Sequence, residues 1–182
     1  MNVVTTPLED CFVLKPEVFE DERGWFTESF NQKVFEECLG RKIKFVQDNR
    51  SFSKNGVLRG LHFQYGEYQQ AKLISVEKGA IQDVCVDLRK DSSTYGLYFS
   101  IELSDSNKKQ LFVPRGFAHG FLVLSNEAIV SYKCDNYYNR SAESGIIYND
   151  LELDIPWNLK GRIPVVSEKD ALWPTFQQQP FL

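Results

Sequence analysis

Short runs with strand character follow one another along this chain: CFVLK, GWFTESF, KLISVEKG, QDVCVDL, YFSIEL, KQLFVP, GFLVLS and AIVSYKCD. Gly, Pro, Asn, Asp and Ser punctuate them. Strands this short and this numerous predict a sandwich or barrel, in which each sheet covers the apolar face of the other. One stretch has helical spacing instead. In FNQKVFEECLG, Phe30, Val34, Phe35, Cys38 and Leu39 recur on one face, and Gly40 supplies a stop. A weaker helical signal lies near the C-terminus. The expectation is a single domain over 1–182, all-β dominated. It has an N-terminal arm, a jelly-roll core with short peripheral helices, and a C-terminal extension.

Composition narrows the function. A chain of 182 residues, 42% hydrophobic and 14% aromatic, can bury one sizeable core and is not disordered. The net charge of −4 disfavours a general nucleic-acid binder, which needs excess Lys and Arg to displace counterions. A small anionic ligand needs only a local arginine cluster. Cys11, Cys38, Cys85 and Cys134 are widely spaced, which argues against a zinc or redox motif. No apolar run reaches the ~20 residues of a membrane span. The start MNVVTTPLEDCF lacks the basic and apolar segments of a signal peptide, so the expected location is cytoplasmic.

Alternation sorts some side chains. Asp83, Cys85, Asp87 and Arg89 share one strand face; Gln82, Val84, Val86 and Leu88 share the other. Ala128, Val130, Tyr132 and Cys134 also share a face, so Tyr132 lies on a mostly apolar side. The stretch GVLRGLHFQYGEYQQAKLISVEKG reads as two strands and a turn. With the turn at Tyr65–Gln69, His62 and Lys72 fall opposite each other on one face, with Gln64 beside His62.

The same stretch resembles the cupin metal pattern of HxH, Glu and Gly followed by PxGxxH. Here the sequence has His62-Phe63-Gln64, Lys72, Gly79 and Pro114 to His119. Gln64 stands for the second histidine and Lys72 for the glutamate. A charged lysine has no lone pair for a metal, and His62 and His119 are the only histidines. The expectation is therefore no metal. A histidine base beside a lysine that stabilises an oxyanion suits proton abstraction α to a carbonyl. On spacing alone, a core His62 and a solvated Lys72 remain the other reading.

Longer motifs carry a closer resemblance. DERGWFTESF, QDNRSFSKNGVLRGLHFQ, AKLISVEKGAIQDVCVDLRKDSSTYG, LFVPRGFAHGFLVLS, YKCDNYYNRSAESGI and SEKD span nearly the whole chain in order. Together they resemble the dTDP-4-dehydrorhamnose 3,5-epimerase family. The resemblance implies a cupin-type jelly roll, a homodimer, and neither a metal nor a dissociable organic cofactor. It implies a dTDP-linked 4-keto-6-deoxy sugar as substrate, inverted at C3 and C5. His62 matches the family's base, Asp170 its carboxylate partner, Lys72 the enolate stabiliser and Tyr132 the acid on the opposite face. Arg23, Gln47, Asn49, Arg59, His119, Glu143 and Lys169 match substrate-contacting positions, with Glu28 beside them. Phe19 and Tyr138 are the expected thymine-stacking rings. The N-terminal strand residues Phe12, Val13 and Leu14 are expected to extend a partner's sheet. Two alternatives stay open: a single-centre epimerase or isomerase of a related keto-sugar, and a non-catalytic sugar-nucleotide binder.

One spacing is awkward. Arg59 and His62 are three apart, which puts them on opposite faces of a regular strand. A bulge at Gly60 would re-aim one of them.

Overall fold

The computed structural model describes residues 1–179. The last three residues of the expected 1–182 domain lie outside the described residues. The strands are β1 (Asn2–Thr5), β2 (Phe12–Lys15), β3 (Val18–Asp21), β4 (Gly24–Thr27), β5 (Gln47–Lys54), β6 (Leu58–Gln64) and β7 (Lys72–Lys78). They continue with β8 (Ala80–Asp87), β9 (Tyr98–Ser104), β10 (Gln110–Val113), β11 (Phe117–Val123), β12 (Glu127–Cys134) and β13 (Glu143–Gly145). A six-stranded sheet runs β1-β2-β10-β7-β12-β5, and a five-stranded sheet runs β13-β6-β11-β8-β9. The β3–β4 hairpin stands apart as its own ribbon. Two antiparallel sheets face to face make the expected jelly-roll sandwich. No helix among the described residues is long and apolar enough to cross a membrane.

One end of the interior is apolar. Ile74, Leu111, Val113 and Val130 of the six-stranded sheet meet Ile81, Leu103, Phe121 and Val123 of the other, all buried. β8 is buried on both faces. Its outer residues Val84 and Val86 lie under Ile146, Leu153, Ile155 and Phe176 from the C-terminal part of the chain. That second layer explains why the C-terminal extension is ordered without long helices. Among the described residues, 3₁₀ turns at Asp170–Leu172 and Phe176–Gln178 stand in place of the expected second helix.

The expected helix is α1 (Gln32–Leu39). Asn31 Oδ1 accepts from the Lys33 and Val34 N–H groups, and Gly40 ends the helix at φ 67°. Phe35 is fully buried against Phe30, Phe45 and Phe112. Cys38, read as part of the apolar stripe, is exposed.

Two expectations about pairing fail. His62 and Lys72 are not hairpin neighbours: β6 belongs to the five-stranded sheet and β7 to the six-stranded sheet. The segment between them crosses from one sheet to the other through a 3₁₀ turn at Gly66–Tyr68. Spacing cannot distinguish a hairpin from a crossing, because both leave two strands with a turn between them. The N-terminal strand also differs. Phe12, Val13 and Leu14 pair with β1 on one side and β10 on the other, so they are consumed within their own sheet.

The bulge is present. Across β11, His119 pairs with His62 but Phe121 pairs with Arg59, so β6 carries one extra residue at this point. Gly60 sits there at φ 122°, and a Cβ would lie 2.6 Å from Gly120 Cα and 2.8 Å from His119 O. Gly60→Ala is expected to destabilise the fold by about 1–3 kcal/mol, since alanine is strained at this φ and meets backbone. Chemical denaturation measures this; an unchanged midpoint would show that the site relaxes freely.

Candidate active site

The other end of the interior is polar, and both sheets build it. His62 on β6 lies opposite His119 on β11 and Gly145 on β13. Its Nε2 is 2.7 Å from Asp170 Oδ1. Asp170 is only 4% exposed and rides on the C-terminal 3₁₀ turn. Its Oδ2 accepts from Gly60 N at 3.2 Å, and its own N–H donates to Ser167 Oγ at 3.1 Å. Burial works to raise the Asp170 carboxyl, but the hydrogen bond and charge of His62, with Gly60 and Ser167, hold it below the usual carboxylate value. An ionised Asp170 accepts the Nε2 proton. Nδ1 then keeps a lone pair and can act as a base.

The facing wall comes from the six-stranded sheet. Lys72 on β7 pairs with Cys134 on β12, and Tyr132 follows on the same inward face as Val130. Burial pushes the Lys72 ammonium below the ordinary lysine value, while Cys134, Asp83 and Glu143 act the other way. Burial raises the Tyr132 hydroxyl; Cys134 and Glu143 add to this and Arg59 opposes it. Glu143 also feels the charge of His62. One carboxylate, Glu143, is therefore within electrostatic reach of His62, Lys72 and Tyr132.

The expected substrate-contacting residues divide into two groups. Arg59 reaches across the sandwich, with Nε donating to Ser53 Oγ on β5 at 2.9 Å. This is the reach that the bulge at Gly60 makes available. A polar chain then crosses the mouth. Asn49 Nδ2 is 3.6 Å from Cys134 Sγ, and Gln47 Nε2 donates to Asn49 Oδ1 at 3.0 Å. Gln47 Oε1 accepts from Tyr138 N at 3.0 Å, and the Tyr138 hydroxyl donates to Glu143 at 2.6 Å. Lys169 pairs with the same carboxylate at 2.5 Å. Burial opposes ionisation of Glu143, but Lys169 and Tyr138 hold it below its usual value.

Phe19, Arg23 and Glu28 form the second group, on or beside the β3–β4 hairpin. Arg23 pairs with Asp21 of the same turn, and Glu28 accepts from Asn31 Nδ2. Phe19 is 55% exposed and faces Phe26 across the hairpin. Among the described residues no hydrogen bond or ion pair joins these three to the His62 cluster. Trp25 and Thr27 on the other hairpin face wall a cavity of ≈ 600 Å³ with Ser75, Lys108 and Ser131, on the outer side of the six-stranded sheet. Asn49 and Tyr132 also border that cavity, which lies across the sheet from the polar end of the interior.

Gln64 has a structural task. Its amide bonds the Asn139 backbone twice, with Nε2 donating to the carbonyl at 3.1 Å and Oε1 accepting from N–H at 2.8 Å. No group of three or more His, Cys, Asp or Glu side chains with metal-site geometry occurs among the described residues.

Two neighbours of the site escaped sequence reasoning. Asp83 is fully buried on β8, with Oδ1 2.8 Å from His119 Nε2 and Oδ2 without a partner among the described residues. Its signal was present, since a carboxylate on the same strand face as Cys85 points to an inward-facing charge. Trp173 packs against His62 with ring centroids 6.2 Å apart. No local pattern announces that contact, because the two residues come from distant parts of the chain.

A two-sheet jelly roll that holds a His–Asp pair on one wall and a lysine and tyrosine on the other defines a cupin-type enzyme of proton transfer at carbon. Comparison with known proteins agrees. The family model described as dTDP-4-dehydrorhamnose 3,5-epimerase matches residues 5–178. The Shigella flexneri protein of that name is 51% identical over 170 residues, 93% of each chain. A crystal structure of the Elizabethkingia anophelis enzyme is 52% identical, covers 98% of both chains and superimposes with a TM-score of 0.94. The Legionella pneumophila epimerase, solved with dTDP-4-keto-L-rhamnose, is 45% identical with a TM-score of 0.93, covering 97% of this chain and 93% of that one. The chain belongs to the dTDP-4-dehydrorhamnose 3,5-epimerase family.

Proposed function

We propose that this protein is a cytoplasmic isomerase that inverts C3 and C5 of dTDP-4-dehydro-6-deoxy-D-glucose, giving dTDP-4-dehydro-L-rhamnose. One observation carries the mechanism: the candidate base and the candidate acid stand on opposing sheets. His62 Nδ1 removes a proton α to the C4 ketone. Asp170 holds the Nε2 proton and stabilises the imidazolium. Lys72 donates to the oxygen that becomes the enolate, supplying charge where related folds place a metal-binding carboxylate. Tyr132 delivers a proton from the other ring face, which inverts the centre.

Arg59, Asn49, Gln47, His119, Glu143 and Lys169 hold the nucleotide sugar in this reading, with Arg59 suited to two diphosphate oxygens at once. Tyr138 offers its ring to thymine. The deciding experiment is turnover in deuterated water followed by NMR. Two deuterium atoms, one each at C3 and C5, are expected with inversion at both. Inversion at one carbon alone would make it a single-centre epimerase, and no exchange at all would make it a binding protein.

We further propose a homodimer in which the β3–β4 hairpin carries Phe19, Arg23 and Glu28 to the partner's site. The exposed Phe19, Trp25 and Phe26 support this, because a lone hairpin seldom presents three large rings to water. Sedimentation at assay concentration is expected to give a dimer. A stable, fully active monomer would overturn this assembly.

A further inference from the structure

Trp173 directly follows the 3₁₀ turn that carries Asp170. Its ring meets the His62 imidazole edge to face, with an interplanar angle of 72°. Three contacts hold it there. Gly145, the ladder partner of His62, has no side chain; a Cβ would lie 2.5 Å from the indole Cε2 and Nε1. Ile147 N donates to Pro174 O at 3.0 Å, which fastens the residue after Trp173 to the chain beyond β13. The Lys169 ammonium lies 5.1 Å from the ring centroid while it pairs with Glu143. The indole N–H is buried with no hydrogen-bond partner among the described residues. A tryptophan placed for its polar end would use that donor. This ring is placed for its faces and edges.

We infer that Trp173 is a positioning residue for His62. It locks the imidazole in the orientation that turns Nε2 to Asp170, and it keeps water from that hydrogen bond. The His62 side chain is 32% exposed and its partner only 6%, so the bond lies at the boundary between solvent and interior. Removing the indole opens its flank. The imidazole can then rotate, and Nδ1 is no longer held toward the substrate. The inference rests on the reading of His62 as the base.

The chain has two histidines, so histidine-selective ¹⁵N labelling of the full-length protein gives a simple spectrum. Each Nε2 faces a carboxylate, at 2.7 Å for His62 and 2.8 Å for His119. Two water-protected imidazole N–H signals are expected. Trp173→Ala should lose the His62 signal and keep that of His119, which reports an intact fold. Its kcat should fall roughly 10²-fold with little change in KM, the usual effect of a misaligned catalytic group. Trp173→Phe should keep the signal and most of the rate. A protected His62 signal or a parent-like kcat in Trp173→Ala would overturn the inference. If alanine removes both signals, the phenylalanine variant decides: a retained His62 signal supports the inference and its loss overturns it. Deuterium exchange by His62→Ala tests the underlying reading separately, since surviving exchange there removes His62 as base whatever Trp173 does.

Discussion

His62→Ala is expected to lose both inversion and exchange of the sugar's α protons, with a fall in rate on the order of 10²–10⁴, the usual contribution of general-base catalysis. Tyr132→Phe should behave differently. It keeps the half-buried ring packed beside Val130 and removes only the hydroxyl. The enolate would still form at His62 with Lys72 in place. With no donor on the far face, His62 would return a solvent-derived proton to the original face. Deuterium should enter at C3 and C5 with much less inversion than in the parent. The two variants separate because the two side chains stand on different sheets. NMR of both carbons in deuterated water compares incorporation with inversion. Parent-like inversion in Tyr132→Phe would exclude its hydroxyl as the essential acid, and substantial exchange in His62→Ala would exclude the imidazole as base.

Lys72→Ala should lower kcat roughly 10²–10³-fold, the range seen when an oxyanion donor is removed. Lys72 has no hydrogen bond or ion pair to another side chain among the described residues, so its ammonium is available to an oxygen of the substrate. Burial gives this role a pH signature. The ammonium form is the active one, and burial pulls its pKa below the ordinary lysine value. Activity should therefore fall on the alkaline side before a free lysine, near 10.4, would deprotonate. Lys72→Arg should move that limb to higher pH if it retains turnover. Steady-state kinetics across pH measures both effects. Unchanged kcat with a raised KM in Lys72→Ala would make Lys72 a binding residue instead.

Much of the core was visible in one dimension. The runs that became β7 to β12 alternate or bury both faces, and burial of apolar side chains suffices to make them strands. α1 was equally plain, because Asn31 and Gly40 bracket a short apolar stripe. β5 was not. QDNRSFSK contains one apolar residue, Phe52, and it faces out at 53% exposure. The inward positions Gln47, Asn49, Ser51 and Ser53 are polar because this strand lines the open end of the interior. A strand that serves a ligand loses the pattern by which strands are recognised.

The linear order of residues determined which chemistry is present. Its histidine, lysine, tyrosine and aspartate are identifiable by type and motif, and Lys72 at a metal-ligand position already argues for charge stabilisation. Geometry belonged to the tertiary structure. Spacing put His62 and Lys72 on adjacent strands of one hairpin, whereas the chain crosses between them and sets them on separate walls. The bulge at Gly60 brings Arg59 toward β5, and the C-terminal turn delivers both Asp170 and Trp173 to His62. These relations depend on contacts between distant segments, which no local periodicity encodes. They form because packing the two sheets buries the apolar end and leaves the polar ends of β5, β6, β7, β11 and β12 around a common space.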